Sequence, residues 1–263
     1  MTAYSLTTRR MILKDMGKAG LAIMVLGSAA CASDTSEPDE STTSEGVNEP
    51  STTSPVQPAS TSSEPTSTVG WHRANLGFVS AYIIYRGGEA ALIDTGVPSS
   101  EGLILNALEE IGLGWGSVGH VILTHRHDDH QGSLDSVLAN TPGAPWYAGT
   151  QDMEAISAPS QGLAVGDGDK VFDLDIIDSP GHTLGHISVL DSTAGVLVAG
   201  DALFGEGGGV IGSLPQFTTD MELANASVSK LAGFDYDVLL FGHGEPILNE
   251  ASRAVGALAE SLG

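Results

Sequence analysis

Thr124-His125-Arg126-His127-Asp128-Asp129-His130 follows the apolar run Val121-Ile122-Leu123. His125, His127, Asp129 and His130 are thus crowded into one short loop that leaves a predicted strand. A folded core gains nothing by gathering imidazoles this way. Protonated together they repel, and buried without partners each costs roughly several kcal/mol. A divalent cation reverses the balance, because imidazole is its commonest nitrogen ligand and Asp supplies a hard oxygen. A loop leaving a strand can also turn alternate side chains toward two neighbouring points.

His125-x-His127-x-Asp129-His130 resembles the signature of the metallo-β-lactamase superfamily, and the family's other motifs accompany it in order and spacing. Leu92-Ile93-Asp94-Thr95-Gly96 is similar to its first motif and Pro180-Gly181-His182-Thr183 to its third. Ala199-Gly200-Asp201 is similar to the fourth and Phe241-Gly242-His243-Gly244 to the fifth. The resemblance spans Leu76 to Ile247. It implies an α/β fold, an αββα sandwich with metals on the loops at one edge. It also implies that His125, His127 and His182 bind a first metal, that Asp129, His130 and His243 bind a second, and that Asp201 bridges them. The implied cofactor is a pair of zinc ions, with iron or manganese as alternatives. Two such ions about 3.5–4 Å apart share a water and lower its pKa to near neutral. Asp129 is the implied catalytic residue, orienting that water and passing a proton to the leaving group. The first metal would polarise the substrate carbonyl as an oxyanion forms. Asp94 has two open readings: it holds the outer N–H of a ligand histidine, or it is only a turn aspartate before Thr-Gly.

By the same resemblance, Asp201 separates this chain from zinc β-lactamases, which usually carry Cys or Ser there. It points to ester, lactone or thioester hydrolysis. Two alternatives stay open: β-lactam hydrolysis, and a mononuclear-iron persulfide dioxygenase using the positions of His125, His182 and Asp201. His186, four residues after His182, is expected to be structural, as is His120. His72 could rim a pocket. Ser227-Val228-Ser229-Lys230 has the spacing of a serine β-lactamase motif but lacks its companions, and is read as chance.

Composition narrows the partners. The formal charge is −23. From residue 70 onward Arg73, Arg86, Arg126, Lys170, Lys230 and Arg253 stand against 25 Asp and Glu, a balance of −19. Such a field repels nucleic acid, and it has two open readings: a solvated acidic surface kept for solubility, or a preference for a neutral or cationic small molecule. Cys31 is the only cysteine, so neither an intrachain disulfide nor a Cys-ligated metal is possible. Residues 1–31 resemble a twin-arginine export signal, with Arg9-Arg10-Met11-Ile12-Leu13-Lys14 before a short apolar run. Cys31 ends that run as a candidate lipoprotein acceptor and membrane anchor. The expected location is therefore a cell-surface or periplasmic lipoprotein, or a secreted protein. Residues 32–69, rich in Ser, Thr, Pro and acids, read as a disordered spacer. Residues 70–263 form the expected catalytic domain.

Within that domain strands are predicted at 78–85, 90–93, 120–123, 171–177, 188–190, 196–199 and 238–241. Helices are predicted from Ser99 or Ser100 to Gly112 or Gly114, at 134–139, 152–157, from Thr219 or Asp220 to about 232, and at 249–262. Residues 204–218 read as a Gly-rich mobile loop.

Overall fold

The computed structural model describes residues 69–263. The export signal of residues 1–31 with Cys31, and the spacer up to residue 68, lie outside the described residues. In chain order the first half comprises β1 (Val69–Asn75), β2 (Ser80–Arg86), β3 (Glu89–Ile93), α1 (Glu101–Glu110), β4 (Val118–Leu123), α2 (Asp128–Gln131), α3 (Leu134–Asn140), β5 (Trp146–Gly149) and β6 (Leu163–Val165). The second comprises β7 (Lys170–Val171), β8 (Leu174–Asp178), β9 (Ile187–Asp191), β10 (Val196–Gly200), β11 (Leu203–Glu206), β12 (Gly209–Gly212), α4 (Met221–Leu231), β13 (Val238–Phe241) and α5 (Ala251–Leu262).

The strands make a six-stranded sheet in the order β1-β2-β3-β4-β5-β6 and a five-stranded sheet in the order β13-β10-β9-β8-β7. Side-chain alternation dictates the layers. In β2, Ala81 and Ile83 pack with Ile104 and Leu108 of α1 and Leu134 and Val137 of α3. Tyr82 and Ile84, of opposite parity, face Ile176, Val189 and Val198 of the second sheet. Along β10, Val196 and Val198 join that middle layer, while Leu197 and Ala199 meet Val228 and Leu231 of α4 and Val255 of α5. Strands apolar on both faces thus need cover on both sides, and the result is the expected αββα sandwich.

The same topology gathers the chemistry. β3 and β4 run parallel, as do β10 and β13, and β8 reaches the direction of β10 through two antiparallel pairings. The residues after β3, β4, β8, β10 and β13 therefore leave from C-terminal strand ends. Hydrogen bonds tie the two sheets together at this edge: Ser80 N donates to Gly242 O (2.9 Å), Ile187 N to Thr124 O (2.9 Å) and Tyr82 OH to Phe241 O (2.8 Å).

Several elements differ from expectation. The predicted strand 171–177 is a tight hairpin, β7–β8, turned by Phe172 and Asp173 at φ +53° and +61°. Two left-handed residues make a primed turn, ordinarily marked by Asn-Gly. Phe-Asp carries no such mark, and its alternation with neighbouring apolar residues mimics one strand. The Gly-rich stretch 204–218 is not a free loop: its first part is the β11–β12 hairpin, with Gly207 and Gly208 supplying the positive-φ turn. Residues 152–157 form only a 3₁₀ turn at Met153–Ala155. β1, β5 and β6 were not predicted, and β1 begins at Val69, one residue before the expected domain start. Asp220 caps α4 as expected, its side chain accepting from Glu222 N and Leu223 N.

Candidate metal centre

All seven expected ligands meet at the C-terminal strand edge. His127 Nδ1 lies 3.1 Å from His125 Nε2 and 2.9 Å from His182 Nε2. The Asp201 carboxylate sits centrally, with Oδ1 3.3 Å from His130 Nε2 and Oδ2 3.4 Å from His182 Nε2 and 3.3 Å from His243 Nε2. Asp129 Oδ2 is also 3.3 Å from His243 Nε2. Three groups have donor atoms close enough to share an ion: His125–His127–His182, His125–His130–Asp201 and Asp129–His130–His243.

The surroundings orient these rings. Asp94, left-handed at φ +63°, takes Thr124 N at 2.8 Å, Thr124 Oγ1 at 2.8 Å and His130 Nδ1 at 2.8 Å. Asp tolerates that backbone better than most residues. The Thr124 hydroxyl has one proton and gives it to Asp94, so its oxygen accepts from His125 Nδ1–H at 3.0 Å. His243 Nδ1–H donates to Phe78 O at 2.7 Å. Each of these three imidazoles therefore places its neutral-form N–H outward and turns a lone pair inward. Asp94 is a holder of a site histidine and of the strand end beside it, which decides between its two readings.

The inward atoms then lack sensible partners. His130 Nε2 and Asp201 Oδ1 are both buried without a hydrogen bond, and face each other. His182 turns its Nε2 to the centre and leaves its Nδ1 buried and unpaired. A lone pair against a carboxylate is repulsive, and one His127 N–H cannot serve two neighbouring nitrogens. A proton or a cation must lie between them. Without metal the proton does so: burial opposes charging of His130, but the Asp201 and Asp94 carboxylates outweigh it and hold its pKa well above the ordinary range. His243 is also disfavoured by burial, yet hydrogen bonds to Asp129 and Asp201 raise it to about 10. His125 and His182 go the other way, burial lowering both, His182 to about 4. Neutral imidazoles beside ionised carboxylates suit a divalent cation. Gly242 makes the room, since a Cβ there would collide with the Asp201 carboxylate and the His130 ring.

Three residues that sequence reasoning missed, or left without a role, brace the centre. Buried Asp152 joins the loops of His127 and His182: Oδ2 accepts from Arg126 N (3.1 Å) and Thr183 Oγ1 (2.6 Å), and Oδ1 from Gly185 N (3.1 Å). His186 is structural, as expected. Its Nε2 accepts from Asp201 N at 3.0 Å, and its Nδ1–H therefore donates to Ser179 Oγ at 2.9 Å. Arg73 on the unpredicted strand β1 reaches across to the last motif, donating to Gly244 O (3.2 Å), Glu245 Oε2 (2.9 Å) and Ser80 Oγ (2.9 Å). No local signal marks Asp152 or Arg73, because their partners are distant in sequence. His72 pairs with Glu110 at 2.9 Å and His120 lies beside Tyr147 OH at 3.2 Å, and neither lines the central cavity. Ser227 Oγ donates to Pro180 O at 2.7 Å, holding the turn before His182.

A cavity of about 840 Å³ opens over the cluster. Asp129, His127, His182, Asp201 and His243 form its floor, and Phe78, Phe204, Leu214 and Phe217 supply apolar wall.

Comparison with known proteins agrees with this architecture. The family profile described as "Metallo-beta-lactamase superfamily" matches residues 74–243. The chain is 29% identical over 232 residues to YflN of Bacillus subtilis (strain 168), named a probable metallo-hydrolase, covering 70% of this chain and 88% of that one. It is 31% identical over 180 residues to the hydroxyacylglutathione hydrolase of Hahella chejuensis (strain KCTC 2396), covering 66% of this chain and 64% of that enzyme. A solved metallo-beta-lactamase family protein from Thermus thermophilus shares the fold with a TM-score of 0.55 at 24% identity, over 70% of this chain and 74% of that one.

Proposed function

The chain belongs to the metallo-beta-lactamase superfamily and is a metal-dependent hydrolase, and from that premise we propose that it cleaves a small ester, lactone or thioester with two zinc ions. His125, His127 and His182 would hold one ion, Asp129, His130 and His243 the other, with Asp201 between them. The observation that carries this reading is the buried, unpartnered pair His130 Nε2 and Asp201 Oδ1, set among the five other candidate ligands. The metals would supply an activated water and an electrophile for the scissile carbonyl.

The chain's own residues supply the rest. Asp129 lines the cavity, and the His243 hydrogen bond holds its carboxyl below the usual carboxylate range, so it is ionised at neutral pH. It can accept the proton of the attacking water and return it to the departing oxygen or sulfur as the acyl bond breaks. Phe78 and Phe204 stack on His243, with ring centroids 5.9 Å and 5.4 Å from it, and add apolar surface beside the floor. The strongly acidic domain favours neutral or cationic substrates. The twin-arginine reading of residues 1–31 makes this an exported enzyme, and cell fractionation with and without an Arg9→Lys/Arg10→Lys change tests that part.

The first test is elemental analysis of protein purified without chelator or added metal, followed by turnover on lactones, thioesters and β-lactams. About two zinc per chain with ester, lactone or thioester turnover is expected. One iron per chain, or turnover confined to β-lactams, overturns the proposal.

Two further outcomes follow from the geometry. Arg73→Met should loosen the Gly244 turn and the Asp129–His130–His243 group while sparing the other three histidines. Zinc should fall toward one per chain and kcat/KM by roughly 10–100-fold, and Arg73→Lys should restore little because an ammonium lacks the forked donors. Unchanged zinc content in Arg73→Met would contradict the role. Metal uptake at pH 7 should also release about two protons, from His130 and His243. Calorimetry in two buffers of different ionisation enthalpy reads that number. The sign extends to the metal-free fold. Raised histidine pKa values stabilise it below about 6.5, and the His243 share is lost as pH climbs through about 10.

A further inference from the structure

We propose that the cavity is shaped for an ester or thioester joining an apolar acyl group to a cationic, ammonium-bearing partner. The inference rests on the hydrolase reading above. Phe78 and Phe217 are 66% and 61% exposed although both line the cavity, so neither is there to fill the core. With Phe204 and Leu214 they present aromatic and aliphatic surface above the reacting floor. Asp128 lines the same cavity, is exposed, and makes no ion pair among the described residues. Its neighbour Arg126 pairs instead with buried Asp152, 3.4 Å from Nε to Oδ1.

Among the described residues no Lys or Arg lines the cavity. An anionic leaving group would find no basic side chain there, only the metals that the floor would hold, and would meet Asp128 as well as the acidic surface. An organic cation finds both things it binds best, a carboxylate and the negative faces of aromatic rings. The apolar acyl portion gains from leaving water against Leu214 and the phenyl groups. Asp128 is thus a specificity residue acting on substrate charge, distinct from its neighbour Asp129 at the floor.

The test uses the zinc-loaded full chain and three thiobutyrates alike in size but different in leaving group: butyrylthiocholine, its uncharged 3,3-dimethylbutyl isostere, and S-butyryl-3-mercaptopropionate. Thiol release should run cation, then neutral, then anion. At low salt the cation-to-neutral ratio in kcat/KM should be roughly 5–10, shrinking as salt rises. Asp128→Asn should bring that ratio to about 1–2. Binding of phenyltrimethylammonium, measured by calorimetry, reads the pocket without turnover. It should weaken roughly fivefold in Asp128→Asn and about tenfold in Phe217→Ala. Equal rates for all three esters, an anion preference, or a cation preference untouched by Asp128→Asn overturns the proposal. If no thioester is cleaved but phenyltrimethylammonium binds and depends on Asp128 and Phe217, the thioesterase reading fails and the pocket assignment stands. If thioesters are cleaved without regard to charge, the reverse holds.

Discussion

Asp201→Asn is expected to lower kcat/KM at least about 1000-fold and to remove zinc from both halves of the centre. The carboxylate touches more of the cluster than any other group, with oxygens within 3.3–3.4 Å of ring nitrogens from His130, His182 and His243. Asn keeps the volume and leaves the backbone bond from Asp201 N to His186 Nε2 in place, so the loop should hold its course. What would disappear is one negative charge that the proposed centre sets between two cations, worth several kcal/mol, where about 1.36 kcal/mol is each factor of ten in rate. Zinc titration followed by steady-state kinetics at saturating metal separates weak loading from slow chemistry. A variant that keeps two zinc ions and works within tenfold of the parent would show that Asp201 does not bridge.

Asp94 makes the second large prediction, and its two replacements should behave differently. Asp94→Ala removes the acceptor for His130 Nδ1, Thr124 N and Thr124 Oγ1 in a place 1% exposed. Orphaned buried donors cost about 1–3 kcal/mol each, so even at about 1 kcal/mol for each of the three the metal-free protein should melt roughly 6–12 °C lower. Asp94→Asn keeps the shape and most of that stability. Its amide can, however, donate to His130 Nδ1 and push the ring proton to the inward nitrogen. Zinc affinity should then fall about 10–100-fold with little change in melting. Competition with a chromogenic chelator measures this, and an unchanged affinity in Asp94→Asn would show that its bond to His130 does not govern metal binding.

The candidate cluster was legible because His and Asp have few reasons to gather at such spacing other than to hold a metal. All five motif stretches lie where strands end, and apolar runs such as Val196–Ala199 announce those strands directly. The expected ligand set is gathered in space without omission. Fold details failed where the deciding interaction is remote or the turn is atypical. Phe172-Asp173 turns without glycine or asparagine. β1 carries Trp71, His72 and Arg73 in a half-buried edge strand whose pattern is set by its partner β2 rather than by alternation. Short β6 and β7 present too few residues for any period to show. Asp152 and Arg73 are silent in sequence for the same reason: their partners are supplied by the tertiary fold.

The spread of the ligands along the chain has a consequence for durability. Residues 125–130, 182, 201 and 243 sit on four separate connections, and this chain has no disulfide to tie them together. A bound ion would act as a reversible cross-link over nearly half the sequence, and such a tie removes more freedom from the open chain the longer the loops it closes. Metal held this way would leave more readily the more often the connections part. The lifetime of the loaded enzyme in a chelating environment would then be set by the opening of the Gly242–Glu245 segment, which Arg73 clamps, rather than by the strength of any one bond to the ion.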